Sequence, residues 1–276
     1  MKSAPFDYHR ATSVDDAVAV LTASDGEAKV IAGGQSLVPL LSMRMAQPTV
    51  LVDLNGLAEL RSDRPTVTDG RARFGSMTRH AQLAIQTHHG LAAEMAGWIG
   101  HTAIRTRGTL GGSLAHADPN AECPALALAC DAALSVQGAD GVRTIPAAEF
   151  FAGMLQTALA DDEILTVIDL AVPRRWGFAE LARRHGDFAL VLATVTELAD
   201  GWRVVVGGVE GTPVRLADAE AALSSDASTD EVGRTVEESI VAYDDLHATS
   251  RYRRAMAAEL VRRAVDQARR TQGEAS

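Results

Sequence analysis

Paired glycines beside hydroxyl side chains occur at two places in the sequence. They are Gly33-Gly34 with Ser36, and Gly111-Gly112 with Thr109 and Ser113. Glycine lets the backbone approach a ligand closely and turn its N–H groups inward, and a hydroxyl adds a further donor. A diphosphate needs this combination. Each pair alone is compatible with an ordinary turn, but together they predict a large anionic cofactor that is held at two points.

The surrounding pattern places the first glycine pair between a strand and a helix. Residues 29–32 predict a buried strand, and apolar residues recur at helical spacing over 37–45. A helix that begins after Ser36 would direct its positive end toward a bound anion. The second pair is predicted to be a loop that lies between a helix over 91–99 and a helix over 121–129.

The remaining pattern predicts a mixed α+β chain. Before Pro173 it predicts helices capped by Ser13 and starting near Thr78, hairpins around 68–70 and 138–141, and strands at 6–8, 50–54, 132–136 and 161–170. After Pro173 it predicts strands at 178–183, 190–196 and 202–206, then helices at 216–223, 229–243 and 251–269. Strands followed by helices are typical of an α+β module. We therefore predict two domains, residues 1–175 and residues 176–276.

The composition excludes several classes of protein. The 276 residues are 47% apolar and 22% charged, which is the balance of a soluble globular protein. The net charge of -10 argues against a nucleic-acid partner, which would need a basic surface. No apolar run approaches the roughly 20 residues that span a bilayer, and the N-terminus lacks the apolar stretch of a signal peptide. With few cysteines the chain needs no oxidising compartment, so we expect a cytoplasmic protein.

Missing motifs narrow the chemistry. The sequence has no G-x-G-x-x-G segment opening a βαβ unit, no P-loop, no H-E-x-x-H and no G-x-S-x-G. A Rossmann domain, a P-loop NTPase, a zinc protease and a serine hydrolase are therefore not expected. Cys123 and Cys130 cannot ligate an iron–sulfur cluster or a structural zinc unaided, and their apolar neighbours indicate buried thiols. We predict no metal site in this chain.

Two long motifs resemble one known family. They are residues 32–40, AGGQSLVPL, and residues 104–119, IRTRGTLGGSLAHADP. In this order they resemble the FAD-binding medium subunit of molybdenum hydroxylases, the group of carbon monoxide, nicotine, ketone and xanthine dehydrogenase flavoproteins. The resemblance continues through 183–189 into the C-terminal module. It implies a two-subdomain FAD-binding domain of the p-cresol methylhydroxylase or vanillyl-alcohol oxidase type, then a small α+β domain of antiparallel strands and helices.

The resemblance also implies which residues hold FAD. Residues 32–37 and 109–113 would hold the diphosphate from two sides, and 29–31 lie on the strand that leads in. Other positions belong to a segment that reaches the adenosine half and the flavin surroundings, or match an apolar pair near the flavin. The implied cofactor-binding residues are Lys29, Val30, Ile31, Ala32, Gly33, Gly34, Gln35, Ser36, Leu37, Thr109, Gly111, Gly112, Ser113, His116, Asp118, Glu122, Ile164 and Leu165.

Some of these residues are equally compatible with ordinary packing. His116 suits hydrogen bonding at the start of a helix, and Asp118 suits a turn. Glu122 favours the first turn of the helix that follows it. Ile164 and Leu165 would be core residues in any fold with this strand.

Two positions depart from the family pattern. Gln35 stands where relatives often carry a histidine, and covalent FAD in the wider fold uses a histidine near such a loop, so we expect non-covalent FAD. Glu180 lies in a stretch, residues 178–184, where many relatives place a lysine close to the flavin, so a lysine contribution to flavin binding or redox tuning is not expected here. Arg105 and Arg107 are suited to phosphate, to salt bridges or to subunit contacts.

The resemblance implies a place in an electron-transfer chain. In the family, a substrate is hydroxylated at a molybdenum cofactor in a large subunit, and electrons pass through two iron–sulfur clusters in a small subunit to FAD. An acceptor such as NAD, a quinone or oxygen then removes them. This chain is thus expected to be the FAD-carrying subunit of a heterotrimer, an FAD-dependent oxidoreductase without its own catalytic acid or base. Two cysteines cannot supply the eight thiolates that two clusters need.

Two other functions stay compatible with the sequence. A free-standing FAD-dependent oxidoreductase without molybdenum partners would need the same glycine segments. A non-catalytic partner or scaffold that has lost FAD is the third reading, and the intact glycine pairs weigh against it. The hydroxylated substrate is not encoded here, because its pocket would lie in another chain.

Overall fold

The N-terminal part of the chain is a small parallel sheet with one helix packed on it. The computed structural model describes residues 2–62 and 64–270. The three strands pair in the order β1-β3-β2, with bounds Asp7–Arg10 (β1), Ala28–Ile31 (β2) and Val50–Asp53 (β3). Helix α1 (Val14–Ala23) connects β1 to β2. Ser13 caps this helix, as predicted, by accepting a hydrogen bond from the Asp16 amide.

Helix α2 (Leu37–Ser42) follows β2 across the first glycine pair. It begins where the sequence predicted but ends earlier than the predicted residue 45. Arg44 adopts a left-handed backbone conformation with φ of 58°, which an α-helix cannot contain. A single 3-10 turn (Ala58–Leu60) lies beyond β3.

The second part of the chain is an antiparallel five-stranded sheet with short helices. The strand order is β4-β5-β10-β6-β7, with bounds Thr66–Thr68 (β4), Arg71–Gly75 (β5), Ala133–Gly138 (β6), Gly141–Pro146 (β7) and Ile164–Ala171 (β10). A small hairpin comprises Phe151–Gly153 (β8) and Gln156–Thr157 (β9). The helices are His80–Leu83 (α3), Gly90–Trp98 (α4), Thr102–Arg105 (α5), Leu110–His116 (α6), Glu122–Ala129 (α7) and Ala147–Phe150 (α8).

The C-terminal part is a second antiparallel sheet followed by helices, as the sequence predicted. The strands pair in chain order, with bounds Arg175–Ala182 (β11), Ala189–Leu198 (β12), Gly201–Gly207 (β13) and Val214–Arg215 (β14). The helices are Ala217–Ser224 (α9), Thr229–Ser239 (α10) and Ser250–Arg270 (α11). Among the described helices, none is both long and apolar enough to span a membrane.

Helix α10 is shorter than the prediction of 229–243. Ile240 is extended and buries its side chain in the C-terminal core, which ends the helix. Tyr243 then contributes to a different contact: its ring centroid lies 4.6 Å from the guanidinium carbon of Arg253, and its amide donates to the Val209 carbonyl. These contacts replace the last helical turn that the apolar spacing predicted.

Both faces of the C-terminal sheet are covered. On one face, Phe178, Leu192 and Val205 pack in the hydrophobic core of the second part of the chain. This core also contains residues of α4 and α7. Val191 and Val204 point into a separate core under α11. The C-terminal part therefore packs directly on α7, the helix that follows the second glycine pair.

A buried carboxyl group, Glu122, and a half-buried one, Glu180, lie where the C-terminal sheet meets α7. Glu180 shares a row across the sheet with Leu192 and Gly207, and a Cβ at Gly207 would lie 3.2 Å from the carbonyl oxygen of Pro119. Glu122, the first residue of α7, is only 5% exposed. Within 2–62 and 64–270, Oε2 of Glu180 is buried and has no hydrogen-bond partner.

This environment favours the protonated form of both groups. Burial raises the pKa of Glu122 to about 7, and the charge of Asp118 adds to the shift. Burial raises the pKa of Glu180 to about 8, and the charge of Glu122 adds to the shift. A carboxylate without a cation in an apolar interface is costly, so each group holds its proton to a higher pH than an exposed glutamate does.

Raising the pH should therefore destabilise the chain through this pair. An unfolded glutamate has a pKa of about 4.3, so the stabilisation is complete below that value and is lost as pH rises through the folded pKa values. Thermal unfolding followed by circular dichroism, between about pH 6.5 and pH 8.5, measures this loss. In Glu180→Gln the fall in Tm over this range should be smaller by about 2–4 °C, the shift that about 1 kcal/mol produces in a chain of this size.

The matched control is Glu238→Gln, which removes an exposed carboxyl from α10. Its Tm should follow the wild-type dependence on pH. If Glu180→Gln and the wild-type chain lost the same number of degrees, the buried pair would not be the source of the pH dependence.

Candidate cofactor site

The first glycine pair presents a row of unused backbone donors. The amides of residues 33–37 donate no hydrogen bond to any described part of the chain. Gly34 has a φ of +74°, a conformation that side chains strongly disfavour, and it turns the chain between β2 and α2. The Gln35 side chain donates to the Gly33 carbonyl at 3.2 Å, and Ser36 makes no capping hydrogen bond. Consecutive free amides of this kind are suited to an anion-binding nest, and the binding of an anion here stays a prediction.

The second glycine pair lies in a helix, and the prediction of a loop was wrong. Gly111 and Gly112 occupy the first turn of α6. The Thr109 hydroxyl caps this helix by accepting from the Gly112 amide at 3.0 Å, and Leu110 and Leu114 anchor it in the core. The cap and the buried leucines outweigh the low helix propensity of glycine.

The amides of the second pair are therefore not free. The Gly111 amide donates to the Ser76 carbonyl at 2.8 Å, and the Ser113 amide donates to the Thr109 carbonyl at 3.0 Å. The two pairs differ in what they offer a ligand. The first segment supplies free amides. The second supplies the hydroxyl groups of Thr109, which also caps α6, and Ser113, and its backbone packs closely against the first segment.

The fold brings the two pairs into contact. A Cβ at Gly33 would lie 2.2 Å from the carbonyl oxygen of Arg107, so no larger residue fits there without displacing the second segment. A Cβ at Gly112 would lie 3.5 Å from the Ala32 Cβ. The free amides of the first segment and the hydroxyls of the second therefore border one cradle, although 70 residues or more separate them in sequence.

Two hydroxyl groups beside this cradle were not singled out from the sequence. Ser76 and Thr78 are 3% and 2% exposed, and within the described residues neither side-chain oxygen has a hydrogen-bond partner. Their carbonyls accept from Gly111 and Leu110, which ties them to the start of α6. Buried polar groups without partners are rare in native proteins. No local motif marks these residues, because their position depends on pairing with a segment more than 30 residues away.

Asn55 and Arg79 join the two segments from one side. No sequence motif marks either residue. The Asn55 Nδ2 donates to the Ala32 carbonyl at 2.7 Å. Arg79 donates to Asn55 Oδ1 at 2.6 Å and, through its other terminal nitrogen, to the Arg107 carbonyl. Asn55 follows β3 of the parallel sheet, and Arg79 lies between β5 of the antiparallel sheet and α3, so the two residues come from segments next to different sheets.

The residues predicted on the entering strand are placed beside the first pair. Val30 and Ile31 are half-buried on β2, and Ile31 Cδ1 lies 3.6 Å from where a Cβ of Gly34 would be. The Lys29 ammonium lies 3.9 Å from Asp161 Oδ1, so a carboxylate already neighbours its charge.

The segment after the second pair leads toward the C-terminal sheet. His116 is the last residue of α6, not at a helix start, and Asp118 Oδ1 accepts from the Asn120 amide in a turn. The Gly208 amide donates to the carbonyl of Pro119 at 2.9 Å, which ties this segment to the C-terminal part. Glu122 then begins α7 at the buried interface described above.

The other residues considered from the sequence take part in core packing or in hydrogen bonds within the fold. Ile164 and Leu165 are both buried, but Ile164 packs in the core of the N-terminal part and Leu165 in that of the second part. Arg105 Nη1 donates to three carbonyls at the end of α4, including that of Ile99 at 2.9 Å, so it serves the fold. Contact of Ile164 and Leu165 with a flavin stays a prediction.

The donors present fit a diphosphate. Free amides, hydroxyl groups and a backbone too closely packed for side chains are the features that such a strongly hydrated anion requires. Cys123 and Cys130 are wholly buried, and burial raises the pKa of the Cys123 thiol to about 12. In the described part of the chain, no group of three or more His, Cys, Asp or Glu side chains is arranged to hold a metal ion.

Two family descriptions match consecutive parts of the chain. "FAD binding domain in molybdopterin dehydrogenase" matches residues 4–174. "CO dehydrogenase flavoprotein C-terminal domain" matches residues 176–268.

Whole proteins of this family are similar to the chain over nearly its full length. The nicotine 6-hydroxylase medium subunit of Paenarthrobacter nicotinovorans is 38% identical, covering 97% of this chain and 99% of that protein. Carbon monoxide dehydrogenase from Hydrogenophaga pseudoflava, in a form lacking the Mo-pyranopterin moiety of the molybdenum cofactor, superimposes with a TM-score of 0.91 at 33% identity, covering 97% of this chain and 98% of the other. Quinoline 2-oxidoreductase from Pseudomonas putida 86 gives a TM-score of 0.89 at 31% identity, covering 97% and 98%.

These matches confirm the resemblance and the α+β fold that the glycine motifs implied. The chain belongs to the family of FAD-binding subunits of the molybdenum-containing dehydrogenases, and it is an oxidoreductase flavoprotein.

Proposed function

We propose that the cradle between the two glycine segments holds the diphosphate of FAD. The observation that carries this proposal is the row of free amides at residues 33–37, set against the packed start of α6. The amides donate to the phosphate oxygens, and the hydroxyls of Ser36, Thr109 and Ser113 complete the set from both sides. Residues 29–32 and Leu37 support the first segment.

The flavin half belongs, in this proposal, on the path from α6 to the C-terminal sheet. His116, Asp118 and Glu122 lie along that path, and Leu165 lies in the core beneath it. Gln35 replaces the histidine that a covalent attachment would use, so FAD is held without a covalent bond. When bound, FAD supplies the redox chemistry, while the protein positions it and sets its electrostatic surroundings.

The proposed role is that of an electron relay. Electrons enter from an iron–sulfur subunit, which receives them from a large molybdenum-binding subunit, and leave to an acceptor such as NAD, a quinone or oxygen. Names of similar proteins, such as medium subunit and medium chain, support a multi-subunit assembly. The chain's own cysteines are two and buried, too few for the clusters, so the clusters belong to a partner. The proposed boundary between the two domains lies near residue 175, at the start of β11.

Gly33→Ala should sharply reduce FAD binding. The new methyl group would displace the Arg107 carbonyl and separate the free amides from the second segment. A cost of about 1–3 kcal/mol for such overpacking corresponds to roughly 5- to 150-fold weaker binding. Flavin content after purification and the Kd of the flavin-stripped chain for FAD, from fluorescence quenching, measure the effect.

Gly97→Ala is the matched control for this substitution. It lies in α4, and a Cβ there meets nothing within 4 Å. It should bind FAD as the wild-type chain does. Equal FAD affinity in Gly33→Ala and Gly97→Ala, with both folded, would refute the assignment of the cradle.

The chain should also purify from its native host as part of a larger complex. We expect FAD, iron and molybdenum to elute together in a constant ratio, with this chain, a large subunit and a small subunit in the same peak. Elemental analysis, flavin absorbance and denaturing gels across the peak test this. A flavin-containing single chain that oxidises NAD(P)H or a small molecule without iron or molybdenum would instead establish a free-standing oxidoreductase, and a colourless chain would indicate that FAD has been lost.

A further inference from the structure

Arg79 occupies a special place relative to the two glycine segments. Its backbone forms an isolated antiparallel bridge with Thr109, which caps α6. Its guanidinium donates to the Arg107 carbonyl and to Asn55 Oδ1. Asn55 in turn donates to the Ala32 carbonyl. One side chain thus bonds the second segment directly and the first through a single intermediary.

The intermediary is itself fixed. The Asn55 amide donates to Asp53 Oδ1 at 2.8 Å, and its side-chain nitrogen reaches the same oxygen at 2.5 Å. The Tyr8 hydroxyl donates to the other oxygen of Asp53. Asp53 ends β3 and is 8% exposed. Hydrogen bonds therefore run from the N-terminal sheet to Arg79 without a break, so the position of the guanidinium is set by the fold.

The charge of Arg79 is linked to a carboxylate indirectly, through Asn55 to Asp53. Across the described residues, no Asp or Glu forms an ion pair with Arg79, whereas the buried Arg253 and Arg203 have carboxylates at 2.6 and 2.7 Å. Burial lowers the pKa of Arg79, the charges of Arg107 and Arg61 lower it further, and the charge of Asp53 acts in the opposite direction. A half-buried cation that other cations repel is further stabilised when an anion binds beside it.

We propose that Arg79 is a positioning residue of the FAD site: it holds the two glycine segments at the spacing the diphosphate requires and supplies the positive charge that offsets the diphosphate. This inference rests on the proposed function. Its two components are separable, because Asn55 contributes to the spacing but carries no charge. Arg107 adds positive charge from the second segment.

The test uses the flavin-stripped full-length chain and measures the Kd for FAD and for ADP at about 50 mM and about 300 mM salt, where screening differs strongly. Arg79→Gln should raise both Kd values about 10- to 100-fold, the loss expected for a hydrogen-bonded charged group, and should flatten their dependence on salt. Asn55→Ala should raise both Kd values but keep the wild-type dependence on salt. Arg79→Lys keeps the charge, so it should also keep that dependence.

Arg254→Gln is the matched control, because it removes an exposed arginine from α11. Its Kd values and their salt dependence should match the wild-type chain. Tm values of the stripped chains show whether each variant is folded. An Arg79→Gln chain whose Kd stays within twofold of Arg254→Gln, or whose Kd rises with an unchanged salt dependence, overturns the inference. A wild-type chain that binds neither FAD nor ADP would instead overturn the proposed function.

Discussion

The contact between Gly33 and the Arg107 carbonyl determines the rest of the site. A Cβ at residue 33 would lie 2.2 Å from that oxygen, so this approach exists only with glycine. Because the approach is so close, the free amides after Gly33 and the capped start of α6 share one cradle. The bonds from Asn55 and Arg79 then keep that spacing. The site is therefore a product of packing between two sheets, and neither segment could form it alone.

The site and the domain interface use unpaired charge in opposite ways. At the cradle, Arg79 lies near other arginines and, within the described residues, reaches the Asp53 carboxylate only through Asn55, although the chain as a whole carries a net charge of -10. At the interface, the buried Glu122 and the half-buried Glu180 form no ion pair with a described cation, and each holds its proton to higher pH. An arginine cannot discard its charge near neutral pH, whereas a carboxyl can. The first arrangement favours an anionic ligand, whereas the second favours a bound proton.

Sequence patterns predicted the helices and strands better than the contacts between distant side chains. Apolar spacing gave β2, the start of α2 and the C-terminal strands, and the two glycine pairs predicted an anionic cofactor. The helix at Gly111 was missed because its cap and its buried leucines depend on local detail that glycine propensity obscures. Ser76, Asn55 and Arg79 were missed because their partners lie 20 to 35 residues away in sequence and only the folded chain brings them together. The proposal that the anion is the diphosphate of FAD depends on the family motifs, since the same amides would suit other diphosphates.

The parallel sheet of the N-terminal part and the antiparallel sheet of the second part share no strand. The cradle lies on the seam between them, next to the Asn55–Arg79 connection. A ligand bonded to both sides would act as a staple across two separately packed cores. Since such a ligand binds the folded chain and not the unfolded one, its free concentration sets part of the folding equilibrium. The concentration of free cofactor and the folded fraction of the chain would thereby be thermodynamically linked.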